Sequence, residues 1–143
     1  MYECECANNP FLIFMKKLYE LVGSLLHLYQ NIENDLSFVY AYYNGINYKN
    51  DVELRKSILD LNKTTLGNKI KKLEKFFPKS ENDILNYIKE QRNFLVHDFF
   101  IDETINSSTQ ILDKKEQLLQ MLNDAKLIEK ALRGLIKDLQ NAQ

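Results

Sequence analysis

Residues 90–100 read EQRNFLVHDFF. Arg92, Asn93 and His97 stand here in a stretch otherwise apolar enough to be core. Polar side chains rarely enter such surroundings without a partner or a task, because burying them unpaired is costly. The apolar spacing is helical. At about 100° per residue, Ile84, Ile88, Leu95 and Phe99 fall within an arc of roughly 60° and form the main inward stripe. Tyr87 and Phe94 lie on a second side, and Val96 and Phe100 on others, so the carboxy-terminal half is apolar almost all round. Such a helix is either central in a bundle or covered on one side by a second subunit.

The flanks read as helices as well. Pro78 closes the segment upstream. Ser80, with Asp83 three residues on, marks the start of the motif helix, which runs to about Ile101. A short helix from about Leu66 to Phe76 precedes it, after a joint over Asn62 to Gly67 and another helix from about Asp51 to Leu61. The chain begins its first long helix at Asn9-Pro10, since Pro suits a first turn. Phe11, Phe14, Leu18, Leu21, Leu25, Ile32, Leu36 and Val39 then recur at helical spacing. Asn44-Gly45 closes that helix, and its length makes Gly23-Ser24 a place for a break. Downstream, Asn106-Ser107-Ser108-Thr109 is a polar joint with capping residues. A last long helix, about Thr109 to Leu139, carries the stripe Ile111, Leu118, Leu122, Ala125, Ile128, Leu132, Leu135 and Leu139. Several amphipathic helices need partners, so this reads as a bundle stripe, not a zipper.

Composition agrees with an all-α, up-and-down bundle of four to five helices. The 143 residues are 45% hydrophobic and 27% charged, enough for one domain over 1–143 with a sizeable core. Four Gly and two Pro leave little turn chemistry for a many-stranded β fold. A net charge of −1 removes any global basic field, so nucleic-acid contact must come from a local patch. Cys4 and Cys6 lie in a segment, 1–9, that reads as a frayed terminus with reduced thiols. Two cysteines and two distant histidines fit no familiar zinc spacing. No secretory signal or membrane span is visible, which makes a soluble cytoplasmic protein the expectation.

The motif helix carries chemistry in two places. Arg92 lies at the edge of the inward stripe, and His97 lies roughly 140° from it, so they straddle the crest of the helix. Asn93 and His97 share a face. A fixed Arg suits a phosphate, since its guanidinium presents a planar fork of donors and stays charged. A nearby His gives or takes a proton near neutral pH. Together they make a minimal site for phosphodiester cleavage that calls for no metal and no cofactor. Equally, the spacing describes a structural Arg and a satisfied His.

Arg92-Asn93-Phe94-Leu95-Val96-His97, followed by Asp98-Phe99-Phe100, resembles the signature of the HEPN family: Arg, a polar residue that is often Asn, three more residues, then His. The signature lies on a late helix of a small all-α bundle, as here. The resemblance implies a metal-independent RNA endonuclease, often the toxin of a toxin–antitoxin or phage-defence pair. It implies that Arg92 and His97 are the catalytic pair, with Asn93 in support. It also implies a homodimer whose motif helices face one another, which supplies the second histidine that base and acid roles require. A toxin subgroup carries Tyr two positions after the His, where a partner nucleotidyltransferase modifies it. Here that position is Phe99, which puts neutralisation by that route in doubt and leaves the nature of any antitoxin open.

Other residues have both a functional and a plain reading. Lys63, Lys69, Lys71, Lys72, Lys75 and Lys79 face a single acid, Glu74, in residues 63–79. Lys69, Lys71 and Lys72 are candidate RNA-phosphate contacts, or else the solvated face of a helix. Tyr40, Tyr42, Tyr43 and Tyr48 either stack on bases or cap a core with their hydroxyls wet. Glu33 either reaches the motif from the first helix and orients Arg92 or His97, or is a surface acid. Asp98 either fixes a histidine tautomer or is exposed. His27 reads as a boundary histidine. The class that competes with a ribonuclease is a non-catalytic helical interaction module, with Arg92 and His97 as interface residues.

Overall fold

The computed structural model describes residues 10–99 and 108–143. Expectations at Cys4, Cys6, Phe100, Ile101, Asn106 and Ser107, and for the side chains of Phe11, Ser108, Thr109 and Ile111, lie outside the described residues. The order is α1 (Pro10–Tyr43), α2 (Asp51–Asn62), α3 (Leu66–Leu73) with a 3-10 turn (Glu74–Phe76), α4 (Lys79–His97) and α5 (Ser108–Asn141). Among the described residues there is no strand, and no helix is long and apolar enough to cross a membrane.

The helix ends follow from local chemistry. Gly45, at φ +80, lets the chain reverse after α1, with Gly45 N–H donating to Tyr42 O at 2.9 Å and Ile46 N–H to Ala41 O at 3.0 Å. That bond pair is the Schellman arrangement, which satisfies the last free carbonyls. Asn50 caps α2 by accepting from Glu53 N–H, and Thr65 caps α3 by accepting from Asn68 N–H. Asn82 Nδ2 donates to Glu74 O at 2.9 Å and to Phe77 O at 3.1 Å, fastening the start of α4 to the end of the 3-10 turn.

The helices alternate in direction. Lys69 meets Glu33, and Phe76 stacks on Tyr43 at 4.6 Å, so α3 runs with α1. Phe77 lies against Tyr43 and Arg92 against Glu33, so α4 runs back along α1. The C-terminal end of α5 returns to the end of α1. There Tyr48 N–H donates to Gln143 Oε1, and Gln143 Nε2 donates to Ile46 O. One core joins Leu18, Leu25, Ile32 and Leu36 of α1 to Ile70 and Leu73, to Ile88 and Leu95, and to Leu118 and Ala125 of α5. A smaller one holds Ala41, Tyr48 and Leu54. The tyrosines cap it, but not all are wet: Tyr48 donates to Phe38 O at 2.7 Å, and burial pushes its hydroxyl up to about 12.

Several boundaries depart from the sequence reading. α1 is continuous through Gly23-Ser24, because α5, equally long, backs it along its length. The third helix tightens to 3-10 geometry at Glu74. Pro78, not Ser80, occupies the cap position of α4, and Glu81 is the acid of its first turn. α4 ends at His97, where Asp98 and Phe99 N–H both donate to Phe94 O. Phe99 is therefore core by folding back, not by helical register. It is fully buried, edge-on to Phe94 at 6.1 Å. Ile84 is 49% exposed, and Leu85 takes its place inside. The Asn82 anchor fixes this rotation of α4.

Candidate functional site

The rotation that buries Leu85 also places Arg92 between Leu95 and Leu85 on the wheel, at about 100° per residue. Its side chain is 35% exposed, and that of Glu33 is 22% exposed. Glu33 Oε1 lies 3.5 Å from Arg92 Nε, so the acid of the first helix does reach the motif of its own chain. Arg92 Nη1 donates to Asn93 Oδ1 at 3.3 Å. The guanidinium is thus held along Nε by α1 and at Nη1 by its neighbour. Its other N–H groups have no hydrogen-bond partner among the described residues. A planar cation steadied on one edge with donors left over suits an incoming tetrahedral oxyanion.

His97 is exposed in the last turn of α4, and Asp98 is exposed at its cap. Arg92 and His97 are five residues apart, about 7.5 Å along the axis. The fold therefore brings Glu33, Arg92 and Asn93 together and leaves His97 and Asp98 apart at the helix end. Asp98 makes no hydrogen bond to His97 among the described residues, so the tautomer-fixing role drawn from sequence has no contact behind it. Below them, Lys114 from α5 donates to Phe99 O at 2.8 Å, with its Nζ 4.6 Å from the Phe99 ring centroid. A cation there complements the negative end of α4.

The lysines divide. Lys69 is 3% exposed, and its ammonium donates to Glu33 O at 3.3 Å and Asn62 Oδ1 at 2.9 Å. This corrects its place among the phosphate contacts: a cation sealed by internal acceptors cannot meet a backbone phosphate. Burial pulls its pKa down, opposed by the charge of Glu33. The sequence did hold a signal, since Lys69 shares the core spacing of Leu66, Ile70 and Leu73. Lys71 and Lys72 are exposed, and Lys72 Nζ lies 5.8 Å from the Tyr40 ring centroid. Lys89 was missed. It precedes Arg92 by three positions on the same helix, and its Cδ is 3.4 Å from where a side chain on Gly67 would begin.

His27 contacts Asn31 on an exposed stretch of α1 and takes no part in the site. An apolar groove of about 520 Å³ lies between α4 and α5, lined by Tyr43, Phe77, Ile84, Leu127 and Leu132 among others, and contains none of the motif residues. Among the described residues no group of His, Cys, Asp and Glu is gathered to hold a metal ion. No protein-family model matches the chain, and no curated protein or solved structure matches it.

Proposed function

We propose that the chain is a metal-independent RNA endonuclease of HEPN type, acting in the cytoplasm as a homodimer, in the role of a toxin or phage-defence component. One observation carries this reading. Arg92 is half-buried and braced by Glu33 and Asn93 with donors to spare, on the same helix as an exposed His97. Arg92 offsets the charge that gathers on phosphorus. One His97 takes the proton from a ribose 2′-hydroxyl as its oxygen bonds to phosphorus. The His97 of a second chain gives a proton to the departing 5′-oxygen as the P–O5′ bond breaks. The products are a 2′,3′-cyclic phosphate and a 5′-hydroxyl. Lys71 and Lys72 are the remaining candidates of the basic window for flanking phosphates.

The test is cleavage of a mixed RNA pool with EDTA present, by the wild-type chain and by His97→Ala of equal oligomeric state. Cleavage lost in the variant supports the assignment; equal cleavage by both removes His97 from it.

The non-catalytic interaction module has one observation in its favour, the apolar groove beside exposed Ile84 and Leu127. A well-folded wild-type chain that cuts no RNA but binds an antitoxin or a nucleotidyltransferase-type partner would favour that reading.

A further inference from the structure

Lysine is seldom fully buried, because its charge leaves water at a cost that only paired acceptors offset. Lys69 has such acceptors, and all of them lead to one place. Its ammonium donates to Glu33 O and to Asn62 Oδ1. An ammonium only donates, so the Asn62 atom facing it must be the oxygen. The hydroxyl of Ser37, itself fully buried, lies 3.2 Å from Glu33 O and 3.1 Å from the same Asn62 oxygen. The end of α2 and the middle of α3 thus converge on the backbone of Glu33, the residue whose carboxylate meets Arg92.

We propose that Lys69 is a positioning residue for Arg92, acting through Glu33: its buried ammonium fixes the α1 backbone at Glu33, and the carboxylate of that residue orients the guanidinium. This rests on the reading of Arg92 as the phosphate-binding residue. A methionine would fill the same space, so packing alone does not require an amine here. The basic window therefore contributes from inside the fold as well as from its surface.

The experiment compares full-length wild type, Lys69→Met, Glu33→Gln and the double variant, each checked for helix content and oligomeric state. The Arg92 Nε–H resonance, assigned by its loss in Arg92→Lys, is read in all of them. Lys69→Met should move it towards its position in Glu33→Gln. With the RNA pool and EDTA, Lys69→Met should lower kcat by about tenfold, as a misplaced group does, with KM within about twofold. It should add nothing in the Glu33→Gln background, as expected for residues acting in series. An unmoved Arg92 resonance in Lys69→Met, where Glu33→Gln moves it, overturns the proposal. So does an equal loss of kcat in both backgrounds. If Lys69→Met does not fold, Asn62→Ala takes its place, because it removes one acceptor of the ammonium at an exposed position. It should shift the resonance the same way, and no shift overturns the proposal. If the wild type cuts no RNA, the ribonuclease reading fails on its own, and the resonance still decides whether Lys69 governs Arg92.

Discussion

Glu33 and Arg92 face each other across the seam of α1 and α4, with Oε1 3.5 Å from Nε. Partly exposed pairs of this kind are worth at most about 1 kcal/mol to stability, so the contact matters for orientation. Arg92→Lys keeps the charge and loses the fork, and cleavage should fall at least about 100-fold. Glu33→Gln should lower it by about tenfold through looser placement of the guanidinium. Denaturant midpoints measured alongside should show losses within about 1 kcal/mol for both. A much larger loss would make the pair a structural strut.

His97 is exposed, so His97→Ala should leave stability within about 0.5 kcal/mol of wild type. Cleavage should disappear all the same. Urea unfolding and the RNA assay on one preparation separate the two effects.

Phe99 is the fully buried side chain that closes α4. Phe99→Ala should cost about 3–5 kcal/mol. Phe99→Tyr would push a hydroxyl into covered space and should cost about 1–3 kcal/mol. Equilibrium unfolding with an unchanged denaturant slope is the check. A neutral Phe99→Tyr would mean that the position reaches solvent.

Asp35 gives the stability a pH dependence. Burial raises its carboxyl from 3.8 to about 6, with Arg133 of α5 opposing the rise and Glu129 of α5 adding to it. Its Oδ2 is buried without a hydrogen-bond partner, while Arg133 Nη2 pairs with Glu129 at 2.6 Å. Lys137 of α5 lines the same surface. The folded chain holds the Asp35 proton more tightly than the unfolded chain does. Its contribution is therefore full below pH 3.8 and is lost as pH rises through about 6. Discounted for partial exposure, the loss is about 1 kcal/mol. Asp35→Asn should stabilise by that amount at pH 7.5 and by nothing at pH 3.5, measured by urea unfolding. Equal effects at both values would show that the shift has another origin.

How much could be read early depends on the range of the forces. Periodicity gave α1 and α5 within a few residues, and Gly45 and Pro78 end their helices by backbone constraints that act within one or two positions. The motif Arg92, Asn93 and His97 was legible for the same reason, as was the possibility that Glu33 reaches it. Which of Ile84 and Leu85 turns inward was not legible, because Asn82 decides it by binding the carbonyls of an earlier turn. Nor was the burial of Lys69 among six similar lysines. Spacing marks a lysine as able to face a core, but only the convergence of α1, α2 and α3 supplies the acceptors that make an ammonium tolerable there. Local chemistry set the helices and where they stop. The tertiary structure decided which polar groups meet, because a buried charge is stable only where distant parts of the chain bring it partners.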